Sequence, residues 1–411
     1  MTHFIKQWKF PVLLLTGIGI SGLGDFIYLV AINLLVLEMT GSAAAVAGLW
    51  VVGPITSILI NGWSGSIIDR SNKRKIMIIT DIVRAIAVAA IPLLPSIWAI
   101  YAMLFIISIA KSFFNPTSTT YITAMIPKEQ RKTFNSFNSF ISSGAFIIGP
   151  AIAGVLFMIG SIEMAIYLNA ASFLVSAVII AFLPSIDANQ GQTTQRLQLK
   201  SLVDDWKVVI GFGKKEAFVM TVYSCFLVFN IFALALDSQE VVFSRQIIGL
   251  SEVEYSLLVS ITGIGYTAGA FLVVVISRFL SIRHLIGIGL VMLATGYFIY
   301  SLSSSFVLAA FGFTILGFFN AFSNTGFTTF YQNNVPLEIM GRVTSIVSVL
   351  QSIVSVVFLL FIGLMSDVLP MRYTIVTLSA ISVVLANYVY ILVIQPKKSS
   401  YFVEGTGVEA K

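Results

Sequence analysis

The sequence has almost nothing with which to bind a metal or to cross-link itself. Cys225 is its only cysteine, which excludes an intrachain disulfide. Its two histidines, His3 and His284, stand far apart, and no Cys/His cluster occurs, so no metal site is expected. Charge is scarce: Asp, Glu, Lys and Arg make up 10% of the chain, against about 25% in a soluble domain. There is no glycine-rich phosphate loop, nucleotide fingerprint or catalytic constellation, so neither an ATP-driven pump nor an enzyme is expected. The net charge of +6 does not point to nucleic acid, because the basic residues sit in short segments between apolar runs.

What is abundant is apolar. Hydrophobic residues make up 57% of 411, and the mean hydropathy is +0.96. At about 20 residues per crossing there is room for about twelve membrane helices. Apolar runs fall at 11–37, 43–67, 76–98, 99–125, 136–158, 164–184, 217–236, 255–277, 285–302, 305–332, 343–366 and 372–394. Twelve crossings put both termini on one side. Of the 24 Lys and Arg, 20 fall on that side, two (Arg245 and Arg372) on the other, and Arg84 and Lys111 within runs. An asymmetry of this size places both termini in the cytoplasm. The start, Met1 to Lys9, is short and basic. The run after it is too long for a signal-peptide core, so no cleaved leader is expected.

The runs divide six and six about a polar middle segment. We expect a first bundle over 1–184, a cytoplasmic linker over 185–216, a second bundle over 217–394 and a cytoplasmic tail over 395–411. Within the linker, 187–195 is polar. After it Leu199, Leu202, Val203, Trp206, Val209 and Ile210 recur at helical spacing, which predicts an amphipathic helix on the inner membrane face, or else a partner-binding helix. A weak internal repeat relates the halves: Phe113-Phe114-Asn115 precedes Pro127…Arg131 as Phe318-Phe319-Asn320 precedes Pro336…Arg342.

Two motifs carry a resemblance. Between the second and third runs stand Gly65, Asp69, Arg70, Lys73 and Arg74, with Asn72, a residue type that tolerates a left-handed turn. They resemble the G-x-x-x-D-R-x-G-R-R loop of the major facilitator superfamily, with Asn72 in place of glycine. In the fifth run, Gly144, Gly149, Pro150 and Gly154 resemble that superfamily's antiporter motif, G-x-x-x-G-P-x-x-G-G. The first glycine is shifted by one, and Ala153 replaces one of the last pair. Thr40-Gly41-Ser42 and Gln332…Gly341-Arg342-Val343 are similar to the bacterial macrolide-efflux and siderophore-exporter branch. The resemblance implies an all-α fold of twelve transmembrane helices in two six-helix bundles, in a bacterial plasma membrane. It implies export of amphipathic small molecules in exchange for protons, with the proton gradient and no cofactor as driving force. The expected partners are the bilayer, protons and a small-molecule substrate, and the expected state is a monomer.

Charges within the runs are the site candidates, because an ionisable group in lipid needs a partner or water. Asp25 and Lys111 lie near mid-membrane in the first and fourth runs, which the resemblance places beside a central cavity. Asp25 is either the carboxylate that carries the coupling proton or half of a fixed ion pair with Lys111. Asp81 and Arg84, one turn apart, are expected to pair near the cytoplasmic gate. The family's usual arginine in the fourth helix is missing: Ile107 stands there and Lys111 at the following glycine position, so Lys111 or Arg84 is the expected substitute. Phe113, Phe114, Phe318 and Phe319 are candidates for a greasy pocket. Asn320, Asn324 and Gln332 belong to a polar stripe on the tenth run. Asp237 and Glu240 share a helical face near the outer mouth and either attract cations or are solvated. An importer, a lipid flippase, a channel and a non-transporting sensor are the competing readings.

Overall fold

A spanning backbone has no water to bond to, so it satisfies its own polar groups as helix. The structure, a computed structural model, describes residues 2–186, 199–276 and 280–402. The side chains of 2–7, 61–63, 65, 66, 69, 70, 128, 129, 132 and 199–205 lie outside the described part. The polar segment 187–195, Arg278 and the tail beyond 402 also fall outside it.

The helices run α1 (Thr2–Thr40), α2 (Ala43–Arg70), α3 (Lys73–Ala90), α4 (Ile97–Met125), α5 (Lys128–Ile159), α6 (Ile162–Ala181) and α7 (Leu199–Lys215). Then come α8 (Ala217–Val242), α9 (Glu252–Ile276), α10 (Ile282–Leu302), α11 (Phe306–Asn334), α12 (Leu337–Val368) and α13 (Met371–Ile394). No strand occurs among the described residues, and twelve of these helices are long and apolar enough to cross a membrane. The thirteenth, α7, buries Val209 and Phe212 and leaves Trp206 and Ile210 exposed. It packs against α8 and α12.

Turn chemistry sets several ends. Gly41, at φ +63°, reverses the chain after α1, and the Ser42 hydroxyl then caps α2 by accepting from the Ala45 amide at 3.1 Å. The charged hinge after α2 is tighter than its apolar flanks suggest: only Ser71 and Asn72 separate α2 from α3. Asn72 does not take a left-handed turn there. Its backbone is extended (φ −68°, ψ 110°), because its side chain is used to cap α3 at the Lys75 amide, 2.8 Å away. At the far end of α8, Phe243–Ile248 widens into a π-helix that closes on Gly249 at φ +81°.

The chain divides into two compact units: Met1–Thr194 with Ser251–Ser260, and Gln195–Leu250 with Ile261–Lys411. The first turns of α9 therefore group with the first unit. In the first unit α1 packs on α5 and α6, α3 on α4 and α6, and α2 on α4. In the second, α10 packs on α11 and α13, and α8 on α12 and α13. Small residues permit the closest approach. A Cβ on Gly296 of α10 would lie 2.7 Å from the Leu316 nitrogen and 2.8 Å from the Gly312 oxygen of α11.

Candidate functional site

In the first unit, α1 presses on α6 at Gly24, where an added Cβ would strike Ser172 and Asn169. Asp25, the next residue, reaches α4 instead. Its Oδ2 lies 3.6 Å from the Lys111 Nζ, and the two side chains keep 32% and 53% of their surface accessible. At that separation and exposure the pair contributes at most about 1 kcal/mol. It is a contact that opens readily.

Lys111 heads a polar face. Asn115 and Thr119 follow it at successive turns of α4, and all three are exposed. Side chains of this kind on a spanning helix belong toward water, not hydrocarbon. Asn115 and Thr119 were not among the expected site residues, although the i, i+4, i+8 spacing is readable in the sequence.

Asp81 and Arg84 form the opposite kind of pair. They bond one turn apart on α3, at 0% and 2% exposure. The Arg84 guanidinium lies between the rings of Phe114 of α4, at 4.3 Å, and Phe173 of α6, at 4.2 Å. Cation–π contact on both faces offsets part of the cost of removing the charge from water. This corrects two expectations. Phe114 is core packing, only 4% exposed, and lines no accessible face. Arg84 is enclosed, so it does not stand in the open position of a substitute relay arginine. Phe113 is half-buried on α4.

The fifth-helix glycines behave unequally. A Cβ on Gly149 would meet the Cβ of Phe26 on α1 at 2.6 Å, and one on Gly154 the Ser256 hydroxyl at 2.8 Å. Gly144 was expected to admit a neighbouring helix, yet among the described residues nothing lies within 4 Å of its Cβ position. Pro150 is buried within α5, and beside this region Phe26 and Phe146 pack with ring centroids 5.1 Å apart.

Of the cytoplasmic motif, Gly65, Asp69 and Arg70 belong to the last turns of α2, and their side chains lie outside the described residues. Lys73 and Arg74 open α3 and are half-buried. The Asn72 amide donates to the Ser185 hydroxyl at 2.9 Å, which ties this turn to the segment after α6.

In the second unit, Asn324 and Gln332 of α11 are exposed and Asn320 is half-buried. The Asn324 amide bonds to both oxygens of Asn320, the backbone one at 3.0 Å. Phe318 and Phe319 pack on each other and on Phe322. Asp237 and Glu240 are half-buried, not solvated. The Tyr297 hydroxyl donates to Asp237 at 2.7 Å, and the Tyr300 hydroxyl to the Glu240 carbonyl at 2.9 Å. Neither carboxylate has an ion-pair partner among the described residues. No cluster of three or more potential metal ligands occurs among the described residues.

These features can be set beside known proteins. The family model "Major Facilitator Superfamily" matches residues 14–244 and 217–407. The uncharacterized MFS-type transporter YfiS of Bacillus subtilis (strain 168) is 26% identical over 349 residues, 82% of each chain. Macrolide efflux protein A of Streptococcus pyogenes is 23% identical over 182 residues, 43% of this chain and 45% of that one. The crystal structure of the nucleoside transporter NupG superposes with a TM-score of 0.73 at 14% identity, over 94% of this chain and 99% of that one. At that identity the likeness is one of fold.

Proposed function

The chain belongs to the Major Facilitator Superfamily, and from that premise we propose that it exports amphipathic small molecules in exchange for protons. That it is a multi-pass membrane transporter and not an enzyme follows from the family; direction, coupling and substrate are the proposal. Efflux names among its relatives support export. The 20-to-2 distribution of Lys and Arg supports a plasma-membrane protein with both termini in the cytoplasm. We take the working unit to be a monomer without a resident cofactor.

The observation that carries the coupling is the accessible Asp25–Lys111 pair. A proton on Asp25 cancels one charge of the pair and releases Lys111. A proton drives transport only if the outward-open and inward-open states bind it unequally. A carboxylate that has its ammonium partner in one state and lacks it in the other has that property. Alternating access, in which matched halves of such a fold expose one site to each side in turn, converts the difference into flux. The test is Asp25→Asn in everted membrane vesicles with an imposed pH gradient. Gradient-driven efflux of a macrolide should vanish. Unchanged efflux would remove Asp25 from the coupling step.

A further inference from the structure

The accessible pair also narrows the substrate. Resting on the export reading, we infer that the Asp25–Lys111 site takes zwitterions: small molecules that carry an ammonium and a carboxylate on one apolar body.

Among the described residues, Asp25 and Lys111 are each other's only ion-pair partners. They come from different helices and stand 3.6 Å apart with substantial surface open. The buried Asp81–Arg84 pair differs on each count that matters to a ligand: it lies within one helix, it is closed to solvent, and two aromatic rings cover its cation. A ligand can exchange with the open pair only by replacing what each charge loses. A simple cation satisfies Asp25 and strands Lys111. A simple anion satisfies Lys111 and strands Asp25. Each of these ligands makes one charge-assisted contact where a doubly charged one makes two. A zwitterion satisfies both, and the site stays neutral whether empty or full.

Phe26 follows Asp25 on α1, but its ring faces α5, where it packs on Phe146, so it borders the site without lining it. Asn115, one turn from Lys111, is an exposed neutral donor and acceptor.

Three related probes test this by titration calorimetry on the full chain in lipid nanodiscs. They are L-alanyl-L-phenylalanine, its methyl ester (cation only) and its N-acetyl derivative (anion only). The zwitterion should bind about tenfold or more tightly than either derivative, the scale of one lost charge-assisted contact. Asp25→Asn should erase the advantage over the N-acetyl form, and Lys111→Gln the advantage over the ester. The exchanged pair, Asp25→Lys with Lys111→Asp, should restore the preference. Equal binding of the ester and the zwitterion to the wild type overturns the inference, as does an advantage over the ester that survives Lys111→Gln. Failure of all three probes overturns it too. Gradient-driven macrolide efflux in vesicles then reports separately whether the export reading stands.

Discussion

Asp81 and Arg84 bond to each other on consecutive turns of α3 where neither side chain reaches solvent. Removing one partner strands the other in a low dielectric, at a cost of about 3–5 kcal/mol. Asp81→Asn and Arg84→Met should therefore each depress the thermal unfolding midpoint of the detergent-solubilised protein sharply. Replacing both with apolar residues, Asp81→Leu with Arg84→Met, should recover most of the loss. A double variant as unstable as the worse single one would show that the pair does more than neutralise itself.

Much of this arrangement is legible in the sequence. Long apolar runs with few charges admit one solution, so the twelve spanning helices follow from hydropathy. The Asp81–Arg84 pairing follows from spacing within one helix. The rings that enclose Arg84 do not, because Phe114 and Phe173 come from two other helices and periodicity says nothing of which neighbour a helix meets. The same limit explains Gly144 and Gly149. Both are glycines in one motif, but only the face occupied by Gly149 meets α1. The π-helix after α8 is a local widening of the backbone with no compositional mark. The α4 stripe of Lys111, Asn115 and Thr119 is legible from its i, i+4, i+8 spacing.

Gly296 and Gly312 let α10 and α11 approach backbone to backbone. Gly296→Ala puts a methyl within 2.8 Å of main-chain atoms that have no flexible end to yield. Forced separation of the helices should cost about 1–3 kcal/mol. Gly144→Ala is the control: its methyl meets open space, and the gain in helix propensity is about 1 kcal/mol. Thermal unfolding followed by size-exclusion chromatography should show the first variant less stable and the second equal or better.

After α13 the chain folds back as a short 3₁₀ segment, Pro396–Phe402. Phe402 packs on Phe330 at 5.0 Å and on Phe218 at 6.1 Å, and the Asn334 amide donates to the Tyr401 carbonyl at 2.9 Å. The Tyr401 hydroxyl reaches Glu216 at 3.3 Å. Partial burial and the nearby Glu216 carboxylate raise the Tyr401 pKa above its usual value. Its neutral form is thus favoured when the segment is docked. Docking should be intact below about pH 10, the ordinary tyrosine value, and weaken as pH rises through the raised pKa. Limited proteolysis should release the C-terminal segment faster under alkaline conditions, and Tyr401→Phe should remove that pH dependence. Cleavage independent of pH in the wild type would contradict the assignment.

Exposure alone does not distinguish a face of α4 that meets water from one that meets lipid, but thiol chemistry does. Maleimides react with the thiolate, which forms in water and not in hydrocarbon. Cys225 is the only native cysteine, so Cys225→Ser supplies a blank background. In that background Asn115→Cys and Thr119→Cys extend the Lys111 stripe, while Val178→Cys samples an exposed apolar position on α6. In unsealed membranes a charged maleimide should label positions 115 and 119 quickly and position 178 at least about tenfold more slowly, the difference set by access to the thiolate. Fast labelling of 115 and 119 would put Lys111, one turn away, on the aqueous side of the helix, where a proton or a charged substrate can reach its partner Asp25. Slow labelling at both would turn the stripe toward lipid and leave the Asp25–Lys111 pair as a structural clasp.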